Sequence, residues 1–247
     1  IEVVEIDLDP PSEGEVLVEV KAAGVCHSDL SIINGSRPRP APMVLGHEAA
    51  GIVADVGPGV KRFKKGDHVA FIFVPNCGHC EPCMSGRPAL CEPGAEANAV
   101  GEMLSGGRRL SWKSGQPINH QVGVSCFAEY SVASECSLVK IDQSLPLTEA
   151  ALFSCAVITG AGAVLNAARM PNGTTAAIVG CGGVGLNALL AAKMLGAERI
   201  VAIDPDERKL GHAGQLGATD TFSAEDPNCV ENVLDATGGG LMYAFEA

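Results

Sequence analysis

The sequence predicts two successive architectures: a β-rich domain over residues 1–147, then an α/β domain over 148–247 built on a doubly wound parallel sheet. Three observations carry this expectation. Up to about residue 145, runs such as GEVLVEVKAAGV, AAGIVADVG, DHVAFIFV and AEYSVASECSLVKI alternate or cluster branched apolar residues between Gly, Pro and Asp turns. From LTEAALFSCAVITGAGAVLNAARM the apolar period becomes helical, recurring at three and four residues, until Pro171, Asn172 and Gly173 interrupt it. Beyond that point strand and helix alternate, the pattern of a parallel sheet covered on both faces.

Taken in order, TAAIVG reads as a buried strand and VGLNALLAAKMLGA as a helix that ends at a glycine. RIVAID is the next strand, DERKLGHAGQLGA the next helix, and LMYAFEA a further strand. The last carries apolar residues on both faces, which predicts an interior position in a parallel sheet. About four strands are expected where a complete doubly wound sheet has six, so the natural protein is expected to continue beyond residue 247. The opening at Ile1, in a strand-like pattern, predicts an N-terminal extension as well.

The chain has 247 residues, 47% hydrophobic and 19% charged, enough for a sizeable core. A formal net charge of -12 with 17 Lys+Arg lacks the basic footprint that a nucleic-acid partner requires. No apolar run reaches the length of a membrane span, and no signal peptide opens the sequence. Ten cysteines in such a chain point to metal ligands or catalytic groups in a reducing compartment, the cytoplasm, rather than to a disulfide framework. Cys126, Cys136, Cys181 and Cys229 stand alone and read as ordinary scattered cysteines.

Four others do not. Cys77, Cys80, Cys83 and Cys91, in a lobe spanning about 75–95, have a spacing that lets four thiolates converge on one ion. Four thiolates in a tetrahedron make a closed structural zinc site, with no position left for substrate. A redox CxxC pair is the alternative, and it leaves two cysteines unexplained. A second, dispersed set reads differently. GVCHSD supplies Cys26, GHEAAG supplies His47 with Glu48, and FSCAVITG supplies Cys155. Two thiolates and an imidazole with one open position form a catalytic zinc pattern. Asp29 could hold the second nitrogen of His47. Singly, His47 would be a turn histidine and Cys155 a core cysteine.

The turn GCGGVG provides Gly180, Gly182 and Gly185, with Gly183 and Val184 between them, where a strand passes into a helix. Glycines there permit a tight turn and let the backbone approach a pyrophosphate on the helix N terminus. Asp204 closes the following strand about twenty residues on, placed for ribose hydroxyls and repelling a 2′-phosphate. The dinucleotide is therefore expected to be NAD.

In combination, GVCHSD, GHEAAGIV, the four-cysteine lobe, SCAVITGAGA, GCGGVG and IVAID resemble the zinc-dependent medium-chain alcohol dehydrogenase family, over essentially the whole chain. The resemblance implies a GroES-like catalytic domain joined to a Rossmann domain, with NAD(H) and substrate bound between them. It implies two zinc ions per chain: a catalytic one on Cys26, His47 and Cys155, and a structural one on Cys77, Cys80, Cys83 and Cys91. Glu48 would be the acidic neighbour of the catalytic ion, and Ser28 the hydroxyl that accepts the alcohol proton. His27 would meet the cofactor pyrophosphate, Thr159 the nicotinamide, Lys209 the adenosine ribose, and Phe73 would wall the substrate pocket. The implied activity is reversible hydride transfer from an alcohol to NAD, giving an aldehyde or ketone. A small-molecule partner and a homo-oligomer, dimer or tetramer, come with it.

The sequence departs from the family pattern at several positions. Ser31 stands where the longest proton relays end in histidine. Ala95 stands where glutathione-dependent formaldehyde dehydrogenases carry arginine. Arg37 replaces an apolar pocket residue; it reads as an exposed loop arginine, with a polar or anionic substrate as the alternative. Two other functions compete with alcohol oxidation. Oxidation of a thiol adduct of formaldehyde stays within the family. A zinc-ribbon interaction module would explain the lobe, but not the dispersed ligands or the glycine turn.

Overall fold

A computed structural model describes residues 1–247. The chain forms two compact units, Ile1–Cys155 and Ala156–Ala247. No single helix is long and apolar enough to cross a membrane.

In the first unit a five-stranded antiparallel sheet runs in the order Tyr130–Ser134, Glu15–Gly24, Glu48–Val56, His68–Phe71, Leu138–Lys140. Alternation in EVLVEV sends Val16 and Val18 into the core with Ala49, Val53, Phe63, Val69, Phe71 and Leu138. Its pairing with Glu48–Val56 slips twice, between Leu17 and Val18 and between Val20 and Ala22. Glu15 breaks the apolar pattern because it is fully buried. Arg109 grips both of its carboxylate oxygens at 2.8 Å, and Ser105 and the Ser12 amide also donate to it. A smaller sheet joins Asp7–Leu8, Leu110–Ser111, Pro117–His120 and Met43–Val44.

The strand-like reading of this half misses its helices, Glu81–Met84 and Glu92–Val100 among them. His27–Ile33 is helical, with Cys26 as its N-cap: the thiol accepts the Ser28 amide, and the Asp29 carboxylate accepts the Cys26 amide. That reciprocal capping uses Cys and Asp where Ser/Thr and Glu are the usual signal. The long helical period from Leu147 is also not one helix. It runs as Leu147–Ala150, a 3₁₀ turn Ala151–Ser154, Ala156–Gly162 and a π turn Ala163–Ala167. The break falls at Cys155, whose φ of −142° and ψ of −72° are not helical. Ser154 holds the turn by donating to the Ala49 carbonyl at 2.8 Å.

The second unit contains a four-stranded parallel sheet in the order Asp220–Ser223, Arg199–Asp204, Thr175–Val179, Tyr243–Glu246. Its core unites Ile178, Leu189, Ile200, Ala202 and Leu210 with small residues, chiefly Ala176, Ala188, Ala192 and Ala213. Helices Gly183–Met194 and Glu207–Leu216 follow the strands as expected, and Cys229–Thr237 is an additional helix. The strand Tyr243–Glu246 alternates half-buried and exposed residues and pairs in parallel with Thr175–Val179.

Candidate metal centres and dinucleotide turn

The lobe brings the four cysteine sulfurs together, all within 4.8 Å of one another. Backbone geometry draws them inward. Gly78 and Gly86 take left-handed φ values of 78° and 79°, and Cys80 and Cys91 sit at the N termini of short helices. The Cys77 sulfur accepts the Cys80 amide at 3.3 Å, and the Cys91 sulfur accepts the amides of Cys77 and Gly94 at 3.2 and 3.3 Å. Hydrogen bonds led by the His79 amide lower the Cys77 thiol to about 6, whereas burial pushes Cys83 up to about 12. Four crowded thiols cannot all ionise without a cation among them. The donor set fits zinc, with all four positions supplied by protein.

The second group unites Cys26, His47, Glu48 and Cys155, whose ligand atoms also lie within 4.8 Å of one another. Cys26 ends the stretch between a strand and a short helix, His47 and Glu48 stand at the start of a strand, and Cys155 occupies the helix break. His47, Glu48, Asp29 and Cys155 are buried. Hydrogen bonds from Cys155 and then His47 lower the Cys26 thiol to about 3, while Cys155, facing that thiolate, is driven strongly upward. Burial lowers the His47 pKa, but its partners Asp29 and Cys26 outweigh this and raise it to about 9. Two sulfurs and an imidazole nitrogen converging in this way fit a zinc ion, which would displace the shared protons.

Asp29 accepts from His47 Nδ1 at 2.9 Å, which leaves Nε2 free to ligate. Phe73 lies edge-on to the His47 ring, centroids 5.9 Å apart, beside the metal group. Burial raises the Glu48 carboxyl, and a Cβ at Gly24 would come within 2.3 Å of its Oε2, so a side chain there would have to displace that carboxyl. Ser28 is half-buried two residues after the ligand Cys26, whose sulfur accepts its amide, and His27 is exposed. Ser31 donates to the His27 carbonyl at 3.0 Å and lies 3.4 Å from its Nδ1. Arg37 is exposed and is held by its backbone amide, which donates to the Ser31 carbonyl. Ala95 is an exposed helix residue.

In the second unit the glycine turn follows the strand Thr175–Val179 and opens the helix Gly183–Met194. Gly180 takes a φ of 93°, and a Cβ at Gly185 would lie 1.8 Å from the Gly180 carbonyl oxygen. Gly182 caps the helix without a side-chain hydrogen bond, so the first amides are left for an anion. Asp204 is buried and accepts the Cys181 amide at 2.7 Å and the Asp206 amide at 2.8 Å; Lys209 Nζ lies 3.7 Å from it. Burial raises the Asp204 pKa, but these backbone amides outweigh it and the carboxyl stays ionised. Thr159 is exposed on the helix Ala156–Gly162.

Two residues here were not foreseen from sequence. Gly160 lets its helix approach the turn helix: a Cβ there would meet the Val184 carbonyl at 2.1 Å. Gln121 is buried between Asp29 and His47. The glycine of VITGAGA was a signal for the first; nothing in the pattern pointed to the second.

The alcohol dehydrogenase GroES-like domain family matches residues 12–143, and the zinc-binding dehydrogenase family matches residues 183–247. An S-(hydroxymethyl)glutathione dehydrogenase of Escherichia coli O157:H7 is 41% identical over 249 residues, covering 100% of this chain and 67% of the relative. An alcohol dehydrogenase zinc-binding domain protein from Burkholderia ambifaria superposes with a TM-score of 0.91 at 38% identity, covering 97% of this chain and 65% of its own. A benzyl alcohol dehydrogenase from Acinetobacter calcoaceticus superposes with a TM-score of 0.91 at 36% identity, covering 98% and 65%. The chain spans about two thirds of the length of these relatives.

Proposed function

Since the chain belongs to the zinc-dependent medium-chain alcohol dehydrogenase family, we propose that the protein it comes from oxidises an alcohol to an aldehyde or ketone, reversibly, with NAD as hydride acceptor. The observation that carries this reading is the convergence of Cys26, His47 and Cys155 with a buried carboxylate behind the histidine. In this reading residues 1–147, with the Cys155 thiol from just beyond, carry the metal chemistry, and residues 148–247 carry the dinucleotide.

Cys26, His47 and Cys155 would hold the catalytic ion; when bound, it supplies Lewis acidity that eases loss of the alcohol proton. Asp29 keeps the His47 tautomer with its proton on Nδ1, so Nε2 faces the ion. Ser28 receives the alcohol proton and passes it outward. Phe73 limits the space beside His47 and helps exclude water. The turn from Gly180 through Gly182, Gly183 and Val184 to Gly185 receives the pyrophosphate on backbone amides, and the His27 side chain meets the same group. Asp204 and Lys209 address the ribose, and Thr159 the nicotinamide. Cys77, Cys80, Cys83 and Cys91 hold the second ion and brace the lobe. The substrate is a small alcohol or aldehyde, the protein is a homo-oligomer, and ten unpaired cysteines suit a reducing cytoplasm.

In the full-length protein, elemental analysis should find two zinc ions per chain. His47→Ala should abolish alcohol-dependent NAD reduction while one ion remains. Retained turnover in that variant would sink the assignment. A second reading, oxidation of the glutathione adduct of formaldehyde, is favoured by the name of the E. coli relative. Comparing formaldehyde with and without glutathione separates the two, and Ala95 favours the simple alcohol.

A further inference from the structure

We infer that Gln121 is a positioning residue that locks Asp29 onto His47, and thereby sets how firmly the catalytic site keeps its metal. The inference rests on the catalytic-zinc reading and extends it to a side chain outside the ligand set.

Gln121 is 4% exposed. Its Oε1 accepts the Gly46 amide at 2.6 Å. A backbone N–H can only donate, so this contact fixes which way the side-chain amide faces. Nε2 must then point to the other side, where it donates to Asp29 Oδ1 at 2.8 Å. His47 Nδ1 donates to the same oxygen at 2.9 Å, and Nε2 and Nδ1 lie 3.2 Å apart because both converge on it. Asp29 Oδ2 accepts the Cys26 amide at 3.0 Å. With three donors aimed at it, Asp29 has only acceptor roles to play. Its carboxylate cannot turn away from His47 without breaking the bond to Gln121 as well.

The amide also joins the backbones that carry two ligands. Through Gly46 it holds the residue before His47, and through Asp29 the helix that Cys26 caps. The turn presenting Gln121 is built to keep it there. The Gln121 amide donates to Ser125 Oγ at 2.9 Å, and that hydroxyl donates to the Val44 carbonyl at 2.8 Å. The amides of Cys126 and Phe127 donate to the carbonyls of Gly46 and Leu45. Val122 and Ser125 take φ values of 46° and 45°. A left-handed β-branched residue is costly unless the surroundings enforce it, and such strain gathers at functional sites.

The test uses zinc-loaded, full-length protein challenged with EDTA, with released zinc followed by a colorimetric dye. The lobe's ion is the internal control. Gln121→Met keeps side-chain size and removes both hydrogen bonds. The expected result is release of the catalytic ion faster by roughly tenfold or more, with release from the lobe unchanged. With cobalt in the catalytic site, the visible bands should shift in the same variant. Gln121→Glu keeps the acceptor for Gly46 but sets a second oxygen against Asp29, and should give the same selective release. Equal acceleration of both ions in both variants would assign Gln121 a merely structural role and overturn the inference. So would unchanged release of both. A wild-type protein that holds only the lobe's ion would overturn the catalytic-zinc reading together with this one, whereas a two-ion wild type with unaffected variants overturns this one alone.

Discussion

At the scale of single residues, chemistry that depends on residue type was legible in the sequence, and chemistry that depends on a neighbour was not. Asp204 shows both. Its position after a glycine turn and strand raises the expectation of a ribose partner, and the structure adds that the same carboxylate accepts the Cys181 amide and so steadies the turn. Asp204→Asn keeps one acceptor oxygen for that amide and loses the charge. It should shrink the NAD-over-NADP preference in kcat/KM by roughly tenfold or more, because the repulsion of a 2′-phosphate is electrostatic. A wild-type enzyme that prefers NADP would contradict the assignment. Ser28→Ala should lower kcat for alcohol oxidation by about a hundredfold with both ions retained, the usual scale for losing a positioned proton acceptor. Rates that ignore the change would mean that water alone carries the proton. Gln121 was invisible for a physical reason: a buried amide flanked by His120 and Val122 looks like any polar residue at a strand end, and its partners lie 75 and 92 residues away in sequence.

Elements were legible where a local period decides them and illegible where tertiary contacts do. The strands Thr175–Val179 and Arg199–Asp204 and their helices followed from periodicity. The helix at His27 did not, since cysteine is an unusual cap, and the break at Cys155 did not, since its apolar period runs on through the break. The strand Pro117–His120 has a consequence for acid stability. His120 is buried, Nε2 accepts the Arg109 amide at 3.0 Å, and Nδ1 has no partner. Burial, and then the charge of Arg109, lowers its pKa from 6.5 to about 4. Between those values the unfolded chain binds a proton that the folded chain refuses. Stability therefore falls as pH drops through this window, by up to roughly 3 kcal/mol. Urea midpoints from pH 7 to pH 4 should decline less steeply in His120→Gln than in wild type; parallel slopes would exclude His120 as the cause. At the glycine turn, Gly185→Ala must push against the Gly180 carbonyl. It should destabilise the second unit by about 1–3 kcal/mol and weaken NAD binding, measurable by thermal shift and titration.

At the scale of the whole molecule, each compact unit has its own core, one built on Val16, Val53 and Phe71 and the other on Ile178, Leu189 and Ile200. Losing the lobe's ion through Cys83→Ser should therefore reduce hydrogen-exchange protection within Ile1–Cys155, most around residues 75–95, and spare Ala156–Ala247. Uniform loss across both units would argue against independent cores. The two ligand sets also differ in how far apart their members lie along the chain. The lobe's cysteines are close neighbours, so that site can close once residue 91 has left the ribosome. The other set begins with Cys26 and His47 and waits for Cys155, roughly 110 residues later, which at ordinary synthesis speeds is on the order of 5–20 s. Until then a thiol and an imidazole are displayed without their third partner, open to whatever metal the cell offers. The spacing of the ligands predicts that loading is ordered in time: stalled chains that hold Cys155 inside the ribosome and stalled chains that have released it should differ by one tightly held zinc.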